Sequence, residues 1–216
     1  MISLALKYGQ CFIEAFFSPL GQTFFGFLLG IAFALILERN RKPKLLLELK
    51  PTDNHTMPSP FRSVGVTLVN RKPNRWAAWF TYREPAMRAS LTINFLSSDH
   101  RPFIERPMQG RWTSSPQPPE LPATPYNQMA LQFHEIYPGV DEGVDIAVRF
   151  AQEEECYGFS NASYRPGPDW GRDPNFRLLR ARYIVQVSVN HSGGTITENF
   201  LLRNDLPASE FRLETE

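Results

Sequence analysis

"RYIVQVSVNHSGGTITENFLL", Arg182 to Leu202, reads as two strands and a turn. Arg182 to Asn190 and Thr195 to Leu202 carry β-branched and aromatic residues, mostly at every second position, so one face is buried and the other wet. "NHSGGT" between them is a hairpin connection, with Gly193 and Gly194 supplying the positive φ values a tight turn needs. The same composition recurs upstream in "KLLLELK" (44–50), "SVGVTLVN" (63–70), "RASLTINFL" (88–96), "QMALQFH" (128–134) and "GVDIAVRF" (143–150). About seven antiparallel strands with few helix signals predict an all-β, immunoglobulin-like antiparallel sandwich over residues 44–213. In "LLRARY", Tyr183 stands where a tyrosine corner would place it, although Ala181 replaces the usual glycine.

Composition supports this reading. A chain of 216 residues with 42% hydrophobic content has room for one medium domain plus an appendage, and nineteen prolines scattered without a period suit a turn-rich β domain. The two cysteines, Cys11 and Cys156, exclude a disulfide framework, in keeping with a reducing compartment.

The appendage is N-terminal. After a short segment, 1–14, residues Ala15 to Leu37 form an uncharged run, "AFFSPLGQTFFGFLLGIAFALIL". As a helix it would be roughly 34 Å long, enough for a hydrocarbon core of about 30 Å. A soluble core helix would show a polar face, and Phe24 to Leu37 has none. A cleaved signal peptide would end in small residues, whereas this run ends in "ERNRKPK". Residues 15–37 are therefore read as a single transmembrane helix and 38–43 as a basic juxtamembrane linker.

Net charge is +1, but it is unevenly spread: residues 38–83 hold ten Lys/Arg against three acids, and 84–216 hold twelve against eighteen. Arg39, Arg41 and Lys42 crowd the C-terminal flank of the apolar run, which by the positive-inside bias predicts a cytoplasmic β domain at the cell membrane. Sequons at Asn54, Asn161 and Asn190 would matter only in the opposite orientation. Within the span, Gly26, Gly30 and Ala34 recur every four residues, a stripe through which helices approach closely in a homo-oligomer or against another membrane protein.

"RWAAWFTYR", Arg75 to Arg83, sets four aromatics between arginines. As a helix it would align Trp76, Trp79, Phe80 and Arg83 on one stripe; as a strand it would leave large aromatics on both faces. With Arg71, Lys72, Arg75 and Arg83 around them, Trp76, Trp79 and Phe80 predict an interfacial helix near 73–83 that lies in membrane lipid. The competing reading has these aromatics plug the bottom of the sandwich.

Two loops bear on binding. "SSPQPPELPATP" (114–125) predicts an extended surface connection. "EEECYGFSNASYRPGPDWGRDPNF" (153–176) is long, and its aromatics Tyr157, Phe159, Tyr164 and Trp170 are read first as capping one end of the sandwich core and otherwise as a candidate partner-binding loop. Asp169, Asp173, Asn175 and Glu153 to Glu155 lack an EF-hand pattern, and no metal is expected. Cys156 has no sequence signature linking it to His134 or His191 as a base. Phosphate-binding, dinucleotide-binding, zinc-protease, nucleophile-elbow and paired-cysteine motifs are all missing, so neither an enzyme nor a cofactor is predicted. The basic excess lies against the apolar run rather than on an independent patch, which argues against nucleic acid.

"GRWTSSPQP", "CYGFSNASY" and "RYIVQVSV" followed by "NFLLRND" resemble a group of uncharacterised prokaryotic single-pass membrane proteins with one N-terminal helix and a β-rich domain. That resemblance implies architecture alone and brings no activity, substrate or site residue. The function expected is a membrane-anchored binding or scaffolding module within a membrane assembly, its protein or small-molecule ligand unspecified. The alternative is a signalling effector whose β domain senses a small-molecule or nucleic-acid-derived ligand and acts through the helix.

Overall fold

The computed structural model describes residues 18–55, 60–115, 133–160, 163 and 170–216. The N-terminal segment 1–14, Cys11, most of the Pro-rich loop, residues 128–132, Asn161, Tyr164 and Asp169 lie outside them. Among the described residues there is one α-helix, α1 (Pro19–Arg41). Thirteen strands follow it: β1 (Leu45–Leu49), β2 (Asp53–His55), β3 (Phe61–Asn70), β4 (Ala86–Leu96), β5 (Met108–Gln109), β6 (Arg111–Trp112), β7 (His134–Ile136), β8 (Asp141–Phe150), β9 (Cys156–Gly158), β10 (Arg177–Leu178), β11 (Arg182–His191), β12 (Gly194–Arg203) and β13 (Arg212–Thr215).

The chain divides into two compact units. One contains α1 and Pro73–Arg83; the other comprises Pro43–Lys72 and Glu84–Glu216 and holds all the strands. The helix begins at a Ser18 N-cap, whose hydroxyl accepts from the Gly21 N–H at 3.1 Å, with Pro19 in the first turn where its missing donor costs nothing. It is long and apolar enough to cross a membrane, and none of its residues is buried. It also runs through Glu38 to Arg41, which the charge pattern assigns to a linker. Glu and Arg are good helix formers, and nothing before Pro43 breaks the helix.

In the β unit all pairings are antiparallel. One sheet runs β1-β3-β8-β9-β10, with β2 beside β3 and β6 beside β8; the other runs β13-β12-β11-β4-β5, with β7 beside β4. Their apolar faces share a core that includes Val66, Leu68, Ile93, Trp112, Val144 and Val187. The predicted hairpin is β11–β12, ten residues on each side and closing at His191 opposite Gly194. Only Gly194 of the two turn glycines has a positive φ, of 134°, so one glycine rather than two carries the turn's conformational demand. The Tyr183 hydroxyl donates to the Leu179 carbonyl at 2.9 Å and the ring is buried, so the corner forms with Ala181 in place of glycine.

A bulge decides which side chains the far half of β8 buries. Pairing with β3 shifts between Val64 and Gly65, where a Cβ on Gly65 would lie 2.2 Å from the Val144 carbonyl oxygen, so only glycine fits. Beyond the bulge the alternation reverses. Arg149 turns inward, donating to the Asn204 side-chain oxygen at 3.1 Å and the Leu206 carbonyl at 2.7 Å, while Val148 and Phe150 build a second cluster on the opposite face.

Candidate membrane-interface site

The stretch Arg75–Arg83 forms neither a strand nor a regular helix. It makes a single short turn, a 3-10 segment at Ala77–Trp79, with Ala78 N–H donating to the Asn74 carbonyl and Thr81 N–H to the Ala77 carbonyl, both at 2.9 Å. Pro73 just before the turn gives it a natural start, and the β-branched Thr81 and bulky aromatic Tyr82 give it little reason to continue. The aromatics are open: Trp76 is 81% exposed, Trp79 84%, Phe80 71% and Tyr82 61%. None of them belongs to either hydrophobic cluster.

Within the same unit, Arg41, in the last turn of α1, places its guanidinium carbon 4.8 Å from the centroid of the Tyr82 ring. Such a contact ties the aromatic turn to the end of the helix. Arg39 and Arg41 complement the negative C-terminal end of the helix dipole, and Lys42 lies 3.7 Å from Glu38. Arg75 is exposed, whereas Arg83 is half-buried and its pKa is held down by burial. Gly26, Gly30 and Ala34 lie on an exposed helix, and an added Cβ at either glycine would meet nothing within 4 Å.

At the end of β3 stands Asn70, a residue that motif and composition do not single out. Its side-chain oxygen accepts from Lys44 N–H at 3.2 Å, and its amide nitrogen donates to the carbonyls of Glu84 at 3.1 Å and Ile136 at 3.0 Å. Asn70 is fully buried. The signal was in the alternation: Val66, Leu68 and Asn70 share the inward parity of β3, and a polar side chain at an inward position must find partners. Lys44 and Glu84 are where the chain joins the β unit after α1 and after the aromatic segment, so one amide clamps the backbone at both junctions.

The loop after β8 is used for packing. Phe159 is buried, and with Tyr157 and Trp170 it packs on Val148, Phe150 and Phe61; Trp170 stands 5.0 Å from Phe61 and 5.5 Å from Phe159, between ring centroids. Arg172 covers Phe150 at 3.5 Å. These aromatics do not cap the main core; they coat the opposite face of β8 after the bulge. Of the acids weighed as metal ligands, the three glutamates turn to three different arginines, Glu153 to Arg172, Glu154 to Arg180 and Glu155 to Arg177. Among the described residues no His, Cys, Asp and Glu side chains converge as metal ligands.

Cys156 is wholly enclosed in the main core, and burial pushes its thiol far above the usual range, away from the nucleophilic thiolate. His134 Nε2 lies 3.4 Å from Glu142 Oε2, and His191 Nδ1 accepts from Gly193 N–H at 3.0 Å. Each candidate base thus has a partner of its own. Burial raises the pKa of Asp145, 3.8 Å from Lys50, which is in turn 2.9 Å from Asp53. This cluster is read as a structural ion-pair chain. Compared with protein-family models, curated proteins and solved structures, the chain matches none.

Proposed function

We propose that this chain is a single-pass membrane protein whose β domain faces the cytoplasm and serves as a binding or scaffolding module in a membrane assembly. One observation carries the reading: Trp76, Trp79 and Phe80 stand open to solvent on a turn that Arg41 and Tyr82 join to the end of an apolar, unburied helix. Exposed aromatics are costly in water and settle at the lipid–water interface, where ring and headgroup both find partners. Arg39, Arg41, Lys42, Arg75 and Arg83 then face anionic headgroups on the cytoplasmic leaflet. Through Gly26, Gly30 and Ala34 the helix meets a second copy or another membrane protein.

The β domain is assigned to the immunoglobulin-like class. Support comes from the order β1-β3-β8 opposite β12-β11-β4, which corresponds to strands A-B-E and G-F-C, and from the Tyr183 corner at the start of β11. The test is topological. A protease added to intact cells should leave the β domain uncut and should digest it in inverted membrane vesicles; digestion in intact cells would reverse the orientation.

A further inference from the structure

One end of the β unit is built from five stretches held to one another. Asn70 binds Lys44 and Glu84 through its side chain, and its backbone carbonyl accepts from Gly139 N–H at 2.7 Å, which brings in the turn Tyr137–Val140. Ser192 N–H donates to the Met87 carbonyl at 3.0 Å, and Gly193 of the same hairpin tip abuts Pro43. The end therefore gathers residues 43–44, 70–72, 84–88, 137–140 and 192–194. On it Tyr137 is 52% exposed and Val140 50%, with Met87 also exposed. Arg88, at φ 52°, holds a left-handed conformation rare outside glycine and lays its guanidinium over the Phe133 ring at 5.2 Å.

Chain length fixes how far Pro43, which lies on this end, can be from the apolar run. From Leu37 to Pro43 there are four helical steps and two extended ones, at most roughly 13 Å. The headgroup layer is about 5–7 Å deep on each side of the hydrocarbon core. Lys44, Arg71, Lys72 and Arg88 are exposed here, against Glu84, Glu135 and Asp141; the Tyr137 hydroxyl donates to Glu135 at 2.9 Å. Charge is nearly balanced, so this end is not a basic patch. Its apolar tips and long cationic side chains suit a surface in which rings and methyls enter the headgroup layer while lysine and arginine reach out to phosphates.

We propose that this end of the β domain, through Met87, Tyr137 and Val140, is a second membrane-contact surface, distinct from the aromatic turn, and that its partner is the lipid headgroup layer. The inference rests on α1 being a membrane anchor. The opposite end of the β unit, at Leu179 and the start of β11, serves as the reference for this surface. Leu179 is also exposed, and β11 alone separates the two ends by about 30 Å.

The test uses the full chain with Cys11→Ser, since Cys156 is buried, reconstituted in vesicles of equal parts phosphatidylcholine and phosphatidylglycerol. Spin labels are placed singly through Val140→Cys, Met87→Cys, Leu179→Cys and Phe27→Cys, and collisions with oxygen and with a water-soluble nickel chelate are compared. The Val140 and Met87 labels should show an oxygen-to-nickel ratio several-fold above that of Leu179, and below that of Phe27. Equal ratios at Val140, Met87 and Leu179, with Phe27 in lipid, would overturn the second contact and leave the anchor standing. An aqueous Phe27 label would remove the anchor and this proposal with it. Labels at Val140 and Met87 shielded from both reagents would mark a protein contact and also overturn it.

Discussion

The Asn70 side chain accepts a hydrogen bond from Lys44 N–H at 3.2 Å, joining the last residue of β3 to the residue that leads into β1. The same amide holds the carbonyls of Glu84 and Ile136, so four segments that are distant in sequence depend on one buried side chain. Replacing it with Ala would leave a donor and two acceptors to be satisfied by others or by water. Each buried orphan costs about 1–3 kcal/mol. Asn70→Ala should therefore destabilise the full chain in detergent by about 2–5 kcal/mol, read as a lower urea midpoint. Asn70→Asp keeps the acceptor for Lys44 but sets a carboxylate against two carbonyls, so it should fall by a similar amount. An unchanged midpoint for both would mean the clamp contributes nothing.

Removing Trp76, Trp79 and Phe80 together should behave in the opposite way. Truncating packed aromatics costs about 3–5 kcal/mol each, but these three are exposed, so the triple Ala variant should unfold at nearly the wild-type temperature. Quenching of tryptophan emission by lipids brominated near the headgroup should drop sharply, because Trp112 is in the core and Trp170 packs on Phe61. A large fall in unfolding temperature with unchanged quenching would place the aromatics inside the protein.

Much of the fold was legible in the sequence because long alternating strands announce themselves. β1, β3, β4, β8, β11 and β12 all fall on stretches of strand composition, most of which repeat with period two. The two- and three-residue strands β2, β5, β6, β7, β9 and β10 are too short for any period, and their pairing is set by neighbours rather than by their own side chains. The bulge at Gly65 was illegible for a related reason. It sends Val148 and Phe150 to one face and Arg149 to the other, so the aromatics after β8 go to a second cluster that alternation alone assigns to the main core. At the candidate interface stretch, the residue types of Arg75–Arg83 could be read but their conformation could not, since a nine-residue segment with one helical turn satisfies neither a helical nor a strand period.

Stability should decline in acid in two stages. Burial holds His191 below its ordinary pKa, so the folded state resists its protonation, and the stability tied to its neutral form is lost as pH falls through about 6.5. Asp205 is held far below the usual carboxylate range, first by the hydrogen bond from Arg203 and then by Arg182; Arg212 and Arg203 lower Glu214 likewise. For these depressed carboxylates stability is present above about pH 4 and is lost below it. Unfolding midpoints of Asp205→Asn measured from pH 7 to pH 3 should therefore fall less steeply below pH 4 than those of the parent chain. Parallel curves would show that Asp205 is not linked to acid unfolding.

The stripe on α1 makes a separate claim about assembly. Because an added Cβ at Gly26 or Gly30 meets only open space in the single chain, Gly26→Ile with Gly30→Ile should leave the fold of the chain intact. It should nevertheless lower the yield of crosslinked dimer in membranes several-fold, since bulk at those positions keeps helix backbones apart. Unchanged yield would reduce the stripe to composition.

Every membrane contact proposed for this chain depends on α1 lying in a bilayer, and an alkaline carbonate wash of membranes from cells expressing the full chain tests that most directly. The wash strips proteins held by charge or by shallow interfacial contact but leaves a spanning helix in place. With twenty-three helical residues, none of them buried, the chain should remain in the membrane pellet. Release of the full chain into the supernatant as a soluble monomer would contradict the account.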